Sequence, residues 1–120
     1  MRVVVTAQGP TLDALADPRF GRAKYLILVD TDTGEHSAVD NEINLNAAQG
    51  AGIQTGRKVV ELGAQAVVTG NVGPKAFATL NAGGVAIHTG ASGTVREAIE
   101  DFKAGRLQQA QSANVEGHWT

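Results

Sequence analysis

The sequence predicts an α/β protein with a mixed β-sheet, in which an antiparallel hairpin adjoins parallel strands. Three observations lead to this prediction. Short apolar runs typical of buried strands recur along the chain. A turn signal at Thr33 and Gly34 separates two adjacent runs, as in a hairpin. In the second half, apolar runs alternate with helical segments, which is the pattern of parallel strands joined by right-handed crossovers.

The first half of the chain is predicted to contain three strands. Residues 3–5 belong to a buried strand that ends at Gln8. Residues 11–21 follow as a loop, and loops of this length are usually functional or mobile. Residues 25–29 and 35–41 form the antiparallel hairpin. The formal charges of the hairpin are all acidic, so we expect it to face solvent.

The second half contains clear helix start and stop signals. Gly63 is a left-handed terminator, and Pro74 is favoured at a first helical position. Thr94 and Glu97 have the spacing of a capping box. The predicted elements are a helix at 50–62, a strand at 64–69, a helix from 74 to about 83, a strand at 85–88 and a helix from 95 to 105.

Composition limits the domain count. A chain of 120 residues with 42% hydrophobic residues forms one core and is too short for two. We assign residues 1–107 to a single domain and residues 108–120 to a polar C-terminal tail that is poorly ordered at its end.

Charge and cysteine content limit the classes of function. The net charge of -2 argues against a nucleic-acid partner. The absence of cysteine excludes disulfides, thiolate nucleophiles and thiolate metal ligands. No apolar run approaches the roughly 18 residues of a membrane span, and the first run is too short for a signal peptide. We therefore expect a cytoplasmic protein without a membrane partner.

Two glycine-rich turns, Gly-Asn-Val-Gly-Pro at 70–74 and Gly-Ala-Ser-Gly-Thr at 90–94, connect predicted strands to predicted helices. Such a junction directs several backbone N–H groups to one point, at the positive end of the helix dipole. No acidic residue lies between Glu61 and Glu97, and Lys75 adjoins the first turn. The pattern predicts a pocket that receives its negative charge from a ligand. For either turn alone, tight turning is the alternative explanation.

Other side chains belong to the same predicted edge. His88 ends a strand there, where an imidazole could coordinate a metal, donate to an anion, or be satisfied by a loop carbonyl. Arg19, Arg22 and Lys24 cluster in the long loop and are suited to closing over an anion, although loop cations are commonly just solvated. The chain has no Walker loop, dinucleotide fingerprint or zinc pattern, and Ser92 lies outside a nucleophile elbow. We expect no enzymatic activity.

Five motifs in this order resemble those of the dinitrogenase iron–molybdenum cofactor biosynthesis family. They are Phe20-Gly21-Arg22-Ala23-Lys24-Tyr25, Gly50-Ala51-Gly52-Ile53, Gly70-x-x-Gly73-Pro74-Lys75-Ala76, Gly93-Thr94-Val95-Arg96-Glu97-Ala98-Ile99 and Gly105-Arg106-Leu107. The resemblance spans about residues 1–107. It implies a ribonuclease-H-like three-layer α/β fold with helices on both faces of the sheet and no nuclease activity.

The same resemblance implies a function. Members of the family carry or store nitrogenase cofactor precursors, and its orange-protein branch binds a molybdenum–copper–sulfide cluster without covalent attachment. The lack of cysteine favours that branch, because a polyanionic sulfide-capped cluster can be held by amides, cations and apolar contact. The implied ligand is this cluster or a related molybdenum or iron–sulfur cofactor precursor, with a protein partner for delivery.

The predicted contacts to the ligand lie at the carboxyl ends of strands or in the long loop. They are Gln8, Arg19, Arg22, Gly70, Asn71, Gly73, Lys75, His88, Thr89, Gly90, Ser92, Gly93 and Thr94, with His88 also the candidate metal ligand. The alternative function is a regulatory or interaction module that binds a phosphorylated metabolite or a partner protein at the same edge.

Overall fold

The computed structural model describes residues 1–45 and 50–115, without the side chain of Leu45. The strands are β1 (Arg2–Ala7), β2 (Tyr25–Asp30), β3 (His36–Asp40), β4 (Ala66–Val68), β5 (Ala86–Thr89) and β6 (Gln108–Gln109). The helices are α1 (Glu42–Leu45), α2 (Ala51–Glu61), α3 (Pro74–Ala82) and α4 (Val95–Lys103), and Phe20–Arg22 form a short 3₁₀ helix.

The strands form one six-stranded mixed sheet in the order β3-β2-β1-β4-β5-β6. Strand β2 pairs antiparallel with both β1 and β3, whereas β1, β4 and β5 run parallel to one another. The predicted mixed sheet, with its hairpin and its parallel half, is therefore confirmed. The hairpin's outer strand faces solvent as expected, since only Val39 in β3 is even partly buried. For β2 the expectation is wrong, because Leu26, Ile27 and Val29 are buried in the core of the sheet.

Helices cover both faces of the sheet, and alternate residues of β1 serve the two sides. Val3 and Val5 pack in the cluster that includes α4, whereas Val4 packs in the cluster that includes α2 and α3. This is the period-two alternation of a strand that is buried on both faces. The parallel strands are thereby sandwiched between layers, and only their ends are open to a ligand.

Residues 108–115 contribute to the sheet and its surroundings, whereas the sequence predicts a polar tail there. Strand β6 pairs antiparallel with β5, and the Ala110 N–H donates to the Ile87 carbonyl at 2.7 Å. Asn114 then bonds to the turn before α3. The sixth strand was not predicted. The expectation of a poorly ordered end concerns residues 116–120, which lie outside the described residues.

No helix among the described residues is long and apolar enough to cross a membrane.

Candidate functional site

The two glycine turns meet at the carboxyl edge of the parallel strands, as the sequence predicted. They are joined directly: the Gly90 N–H donates to the Gly70 carbonyl at 3.0 Å, and the Ala91 N–H donates to the Thr69 carbonyl at 3.1 Å. Gln8 follows β1 at the same edge and is exposed. Ligands of open α/β sheets bind beyond the carboxyl ends of strands, so this edge is the natural site.

The long loop crosses both turns and is fixed to them. The Ala16 N–H donates to the Gly93 carbonyl at 2.9 Å, and the Phe20 N–H donates to the Asn71 carbonyl at 3.3 Å. The Phe20 side chain is fully buried, so the loop is also anchored by apolar packing. These contacts hold the backbone of the loop against both turns, and its functional role stays a prediction.

A buried hydroxyl pair holds the loop from below. Thr6 Oγ1 lies 2.8 Å from both the Asp17 carbonyl oxygen and Thr69 Oγ1. The Asp17 carboxylate accepts the Arg19 N–H at 2.9 Å. Burial raises the pKa of Asp17, while the Arg19 N–H and the Arg19 charge act in the opposite direction. The sequence gives no signal for this partly buried acid at the edge.

At three positions of the turns, the local structure itself explains why the residue is glycine. A Cβ at Gly70 would lie 2.6 Å from the Pro18 Cα, so the loop passes too closely for any side chain. Gly93 has a φ of 77°, and a Cβ there would lie 2.7 Å from Glu97 Oε1. Gly90 has a φ of 88°, which by itself favours glycine. Tight turning and close approach therefore account for these three positions.

The start of α4 is closed by the protein itself. The predicted capping box is present: Thr94 caps the helix and the Glu97 side chain bonds back. All four N–H groups at this start donate within the protein: Thr94 to Glu97 Oε1 at 3.0 Å, Val95 to the Ala14 carbonyl at 2.9 Å, Arg96 to the Leu12 carbonyl at 2.9 Å and Glu97 to Thr94 Oγ1 at 3.1 Å. The N–H groups at this helix start are thus already occupied within the protein, and the predicted contact of Thr94 with a ligand stays a prediction.

The start of α3 is open by comparison. Its N-cap residue, Gly73, offers no side-chain hydrogen bond, Pro74 follows, and the first turn contains no acidic residue. Within the described part of the chain, the N–H groups of Lys75 and Ala76 have no acceptor. Lys75 is exposed. Unpaired N–H groups at a helix start, beside a lysine, are suited to an anion.

Further donors adjoin this open helix start. Arg19 is exposed, and its backbone pairs with that of Asn71 in an isolated parallel bridge. Because Asn71 precedes Gly73 by two positions in the chain, Arg19 lies close to the N-terminal end of α3. At the tip of the second turn, the N–H groups of Ser92 and Gly93 have no acceptor among the described residues. The edge thus combines one open helix start, one exposed arginine and one glycine-turn tip.

His88 lies within β5, and its side chain contacts helix α4. Its ring packs edge-to-face on Phe102 of α4, with ring centroids 4.8 Å apart and an interplanar angle of 85°. Burial lowers the pKa of His88, which favours the neutral ring. Among the described residues, no group of three His, Cys, Asp or Glu side chains could hold a metal ion. An aromatic contact thus accounts for the burial of His88, and its role as a metal ligand stays a prediction.

The remaining candidates lie around the same edge. Thr89 is buried and pairs with Gln108 of β6, while Arg22 is partly buried in the 3₁₀ helix. Asn114 was missed, although it bonds to Val72 within the first glycine turn. No periodicity or motif marks a single asparagine in a polar tail, so the sequence carries no signal that would have found it.

The fold and this edge define a small α/β binding domain whose open donors lie beyond the carboxyl ends of parallel strands. The sequence model of the dinitrogenase iron-molybdenum cofactor family matches residues 1–105. The chain therefore belongs to this family.

Solved structures agree with that assignment. The apo form of the orange protein from Desulfovibrio gigas is 41% identical, with a TM-score of 0.92, and the match covers 95% of this chain and 96% of that one. A candidate NifB protein from Thermotoga, described as a member of the DUF35 family, is 36% identical, with a TM-score of 0.83 and coverage of 97% and 98%. An uncharacterised protein from Methanocaldococcus jannaschii is 24% identical over 94 residues, covering 77% of this chain and 80% of the relative.

Proposed function

We propose that this chain is a non-enzymatic binding and carrier protein for an anionic metal–sulfur cluster, held without a covalent bond. Membership of the iron-molybdenum cofactor family supports a role in metal-cluster binding or biosynthesis. The similarity to the apo orange protein, over nearly the whole of both chains, supports a binding protein. The carrier would function in the cytoplasm and deliver the cluster to a protein partner.

The observation that carries this proposal is the contrast between the two helix starts at one edge. Helix α4 has a capping threonine, a reciprocal glutamate and two loop carbonyls on its first N–H groups. Helix α3, beside it, has no capping side chain and no acid in its first turn, and Lys75 lies there instead. The N–H groups and the positive dipole end at the start of α3 lack the capping side chain and the acid that α4 has. This open start is consistent with a ligand that supplies the missing negative charge.

The ligand that fits best is a molybdenum–copper–sulfide cluster or a related molybdenum or iron–sulfur precursor. The chain has no cysteine, so the residues available to hold a cluster are N–H donors and cations rather than thiolates. The N–H groups of Lys75, Ala76, Ser92 and Gly93 would donate to its sulfides, and Arg19 would offset its charge. We also propose, from the family resemblance, that the fold is ribonuclease-H-like.

Titration with a coloured anion tests the proposal. Tetrathiomolybdate, alone and with a copper(I) salt, is added to the purified protein, and binding is followed by its absorption bands. The decisive variant is Lys75→Glu, with Lys103→Glu as its control. Both make the same charge change on exposed lysines, but Lys103 ends α4, roughly 12 Å of helix away from that helix's start.

We expect Lys75→Glu to weaken binding at least about tenfold, which corresponds to about 1.4 kcal/mol, while Lys103→Glu leaves it nearly unchanged. Equal effects of the two variants would place the anion elsewhere. Competition separates the alternative function: a phosphorylated metabolite at a regulatory site would be displaced by inorganic phosphate, and no coloured complex with tetrathiomolybdate would form. Metal analysis of protein purified from its native source would then identify the cluster.

A further inference from the structure

Asn114, in the segment after β6, bonds both the N–H and the carbonyl of one buried residue, Val72. Its side-chain Oδ1 accepts the Val72 N–H at 2.7 Å, and its own N–H donates to the Val72 carbonyl at 3.1 Å. Val72 is fully buried, so these polar groups have little access to water. An unsatisfied buried donor is costly, and the described residues offer the Val72 N–H no other acceptor. Asn114 therefore completes the first glycine turn.

The same asparagine extends a chain of hydrogen bonds to the arginine-bearing loop. Its Nδ2 donates to Asn71 Oδ1 at 3.3 Å, and the Nδ2 of Asn71 donates to the Pro18 carbonyl at 3.1 Å. The Asn71 carbonyl also accepts the Phe20 N–H. Residue 19 lies between these two attachment points. The Asn71 amide can make both side-chain bonds in only one orientation, because one end donates and the other accepts.

We propose that Asn114 is a positioning residue of the anion site. It fixes the turn before α3 and, through the orientation of the Asn71 amide, holds the Arg19 segment beside the open helix start. The C-terminal segment thereby pre-organises donors that come from two distant parts of the chain. This inference rests on the proposed function for its consequence in binding, but the hydrogen-bond relay itself exists without a ligand.

Two substitutions separate the two side-chain bonds of Asn114, the one to the Val72 N–H and the one to Asn71. Asn114→Ala removes both side-chain bonds, whereas Asn114→Asp keeps an acceptor for the Val72 N–H and removes the donor to Asn71. Ser112→Ala, an exposed position of the same segment, is the control. Amide hydrogen exchange of the ligand-free full-length variants is measured by NMR at Val72 and Phe20, and tetrathiomolybdate affinity is measured by absorption.

In Asn114→Ala we expect exchange to accelerate about threefold to tenfold at both Val72 and Phe20, as for the loss of one hydrogen bond. In Asn114→Asp the acceleration should be confined to Phe20. Affinity should fall about threefold to tenfold in Asn114→Ala, while Ser112→Ala behaves as the wild type.

Unchanged exchange at Phe20 in both variants would overturn the relay. Faster exchange at Phe20 with unaltered affinity in Asn114→Ala would overturn the positioning role, because the bonds would then be merely structural. The measurement of amide hydrogen exchange needs no ligand. A wild-type protein that fails to bind tetrathiomolybdate would therefore count against the proposed function, while Phe20 exchange still decides on the relay.

Discussion

Gly93→Ala tests whether this glycine serves the α4 cap, as its surroundings indicate. The substitution would impose two separate costs. The φ of 77° is a left-handed conformation that L side chains rarely adopt. In addition, the new Cβ would lie 2.7 Å from Glu97 Oε1, the atom that accepts the Thr94 N–H. The Glu97 carboxylate must therefore shift, and we expect this shift to weaken its bonds within the capping box.

The two costs can be assigned magnitudes. A left-handed conformation at a non-glycine residue costs about 1–2 kcal/mol. The loss of capping interactions costs about 0.5–2 kcal/mol. Gly93→Ala should therefore lower the free energy of unfolding by about 1.5–4 kcal/mol, a large part of the roughly 5–15 kcal/mol of a typical domain.

Urea unfolding followed by circular dichroism measures this loss, and Gly105→Ala is the matched control. Gly105 has a φ of 74° but nothing within 4 Å of its Cβ position, so only the conformational cost applies. The excess cost at Gly93 should disappear in a Glu97→Ala background, where the colliding carboxylate is absent. Equal losses for the two glycines, or an excess that persists without Glu97, would refute the assignment of Gly93 to the cap.

Three further outcomes are expected. Gly70→Ala should destabilise the fold by about 1–3 kcal/mol in urea unfolding, because the Cβ would lie 2.6 Å from the Pro18 Cα; a loss below about 0.5 kcal/mol would contradict that close approach. Since burial raises the pKa of Asp17, its charged form destabilises the fold above that pKa, and the penalty disappears as pH falls through it. Asp17→Asn, which can still accept the Arg19 N–H, should thus be at least as stable as wild type at pH 7 and lose any advantage in acid; a clear wild-type advantage in a neutral-pH unfolding curve would contradict this. Tetrathiomolybdate should dissociate as the salt concentration rises from 0.1 M to 1 M, because the Debye length then falls from about 10 Å to about 3 Å and the charges are screened. A cluster that stays attached to the denatured protein would contradict non-covalent binding.

Local signals in the sequence were sufficient for most of the fold. Pro74 and the Thr94–Glu97 spacing placed the starts of α3 and α4 correctly, because helix starts depend on nearby side chains. Buried strands appeared as apolar runs. Strand β6 was missed because two glutamines carry neither apolar alternation nor a turn signal, and their pairing with β5 depends on the assembled sheet.

The candidate site was only half predictable for a similar reason. Glycine turns at strand ends are visible in sequence, but the occupation of their N–H groups is not. The carbonyls of Leu12 and Ala14 close the α4 start from more than 80 residues away in the chain. Asn114 acts on the other turn over a separation of 42 residues. Such contacts are set by tertiary packing, so a sequence window shows which N–H groups point to an edge but not which stay available.

The edge of the sheet is assembled from segments near residues 8, 19, 72, 92 and 114, which nearly span the whole chain. During synthesis on the ribosome, the hairpin β1-β2-β3 can pair early, whereas the turn before α3 receives Asn114 only after strand β6 and the residues that follow it have been made. A nascent chain would therefore lack a finished site. Under the proposed function, loading would therefore have to wait until the segment that contains Asn114 has been made and has docked on the turn before α3.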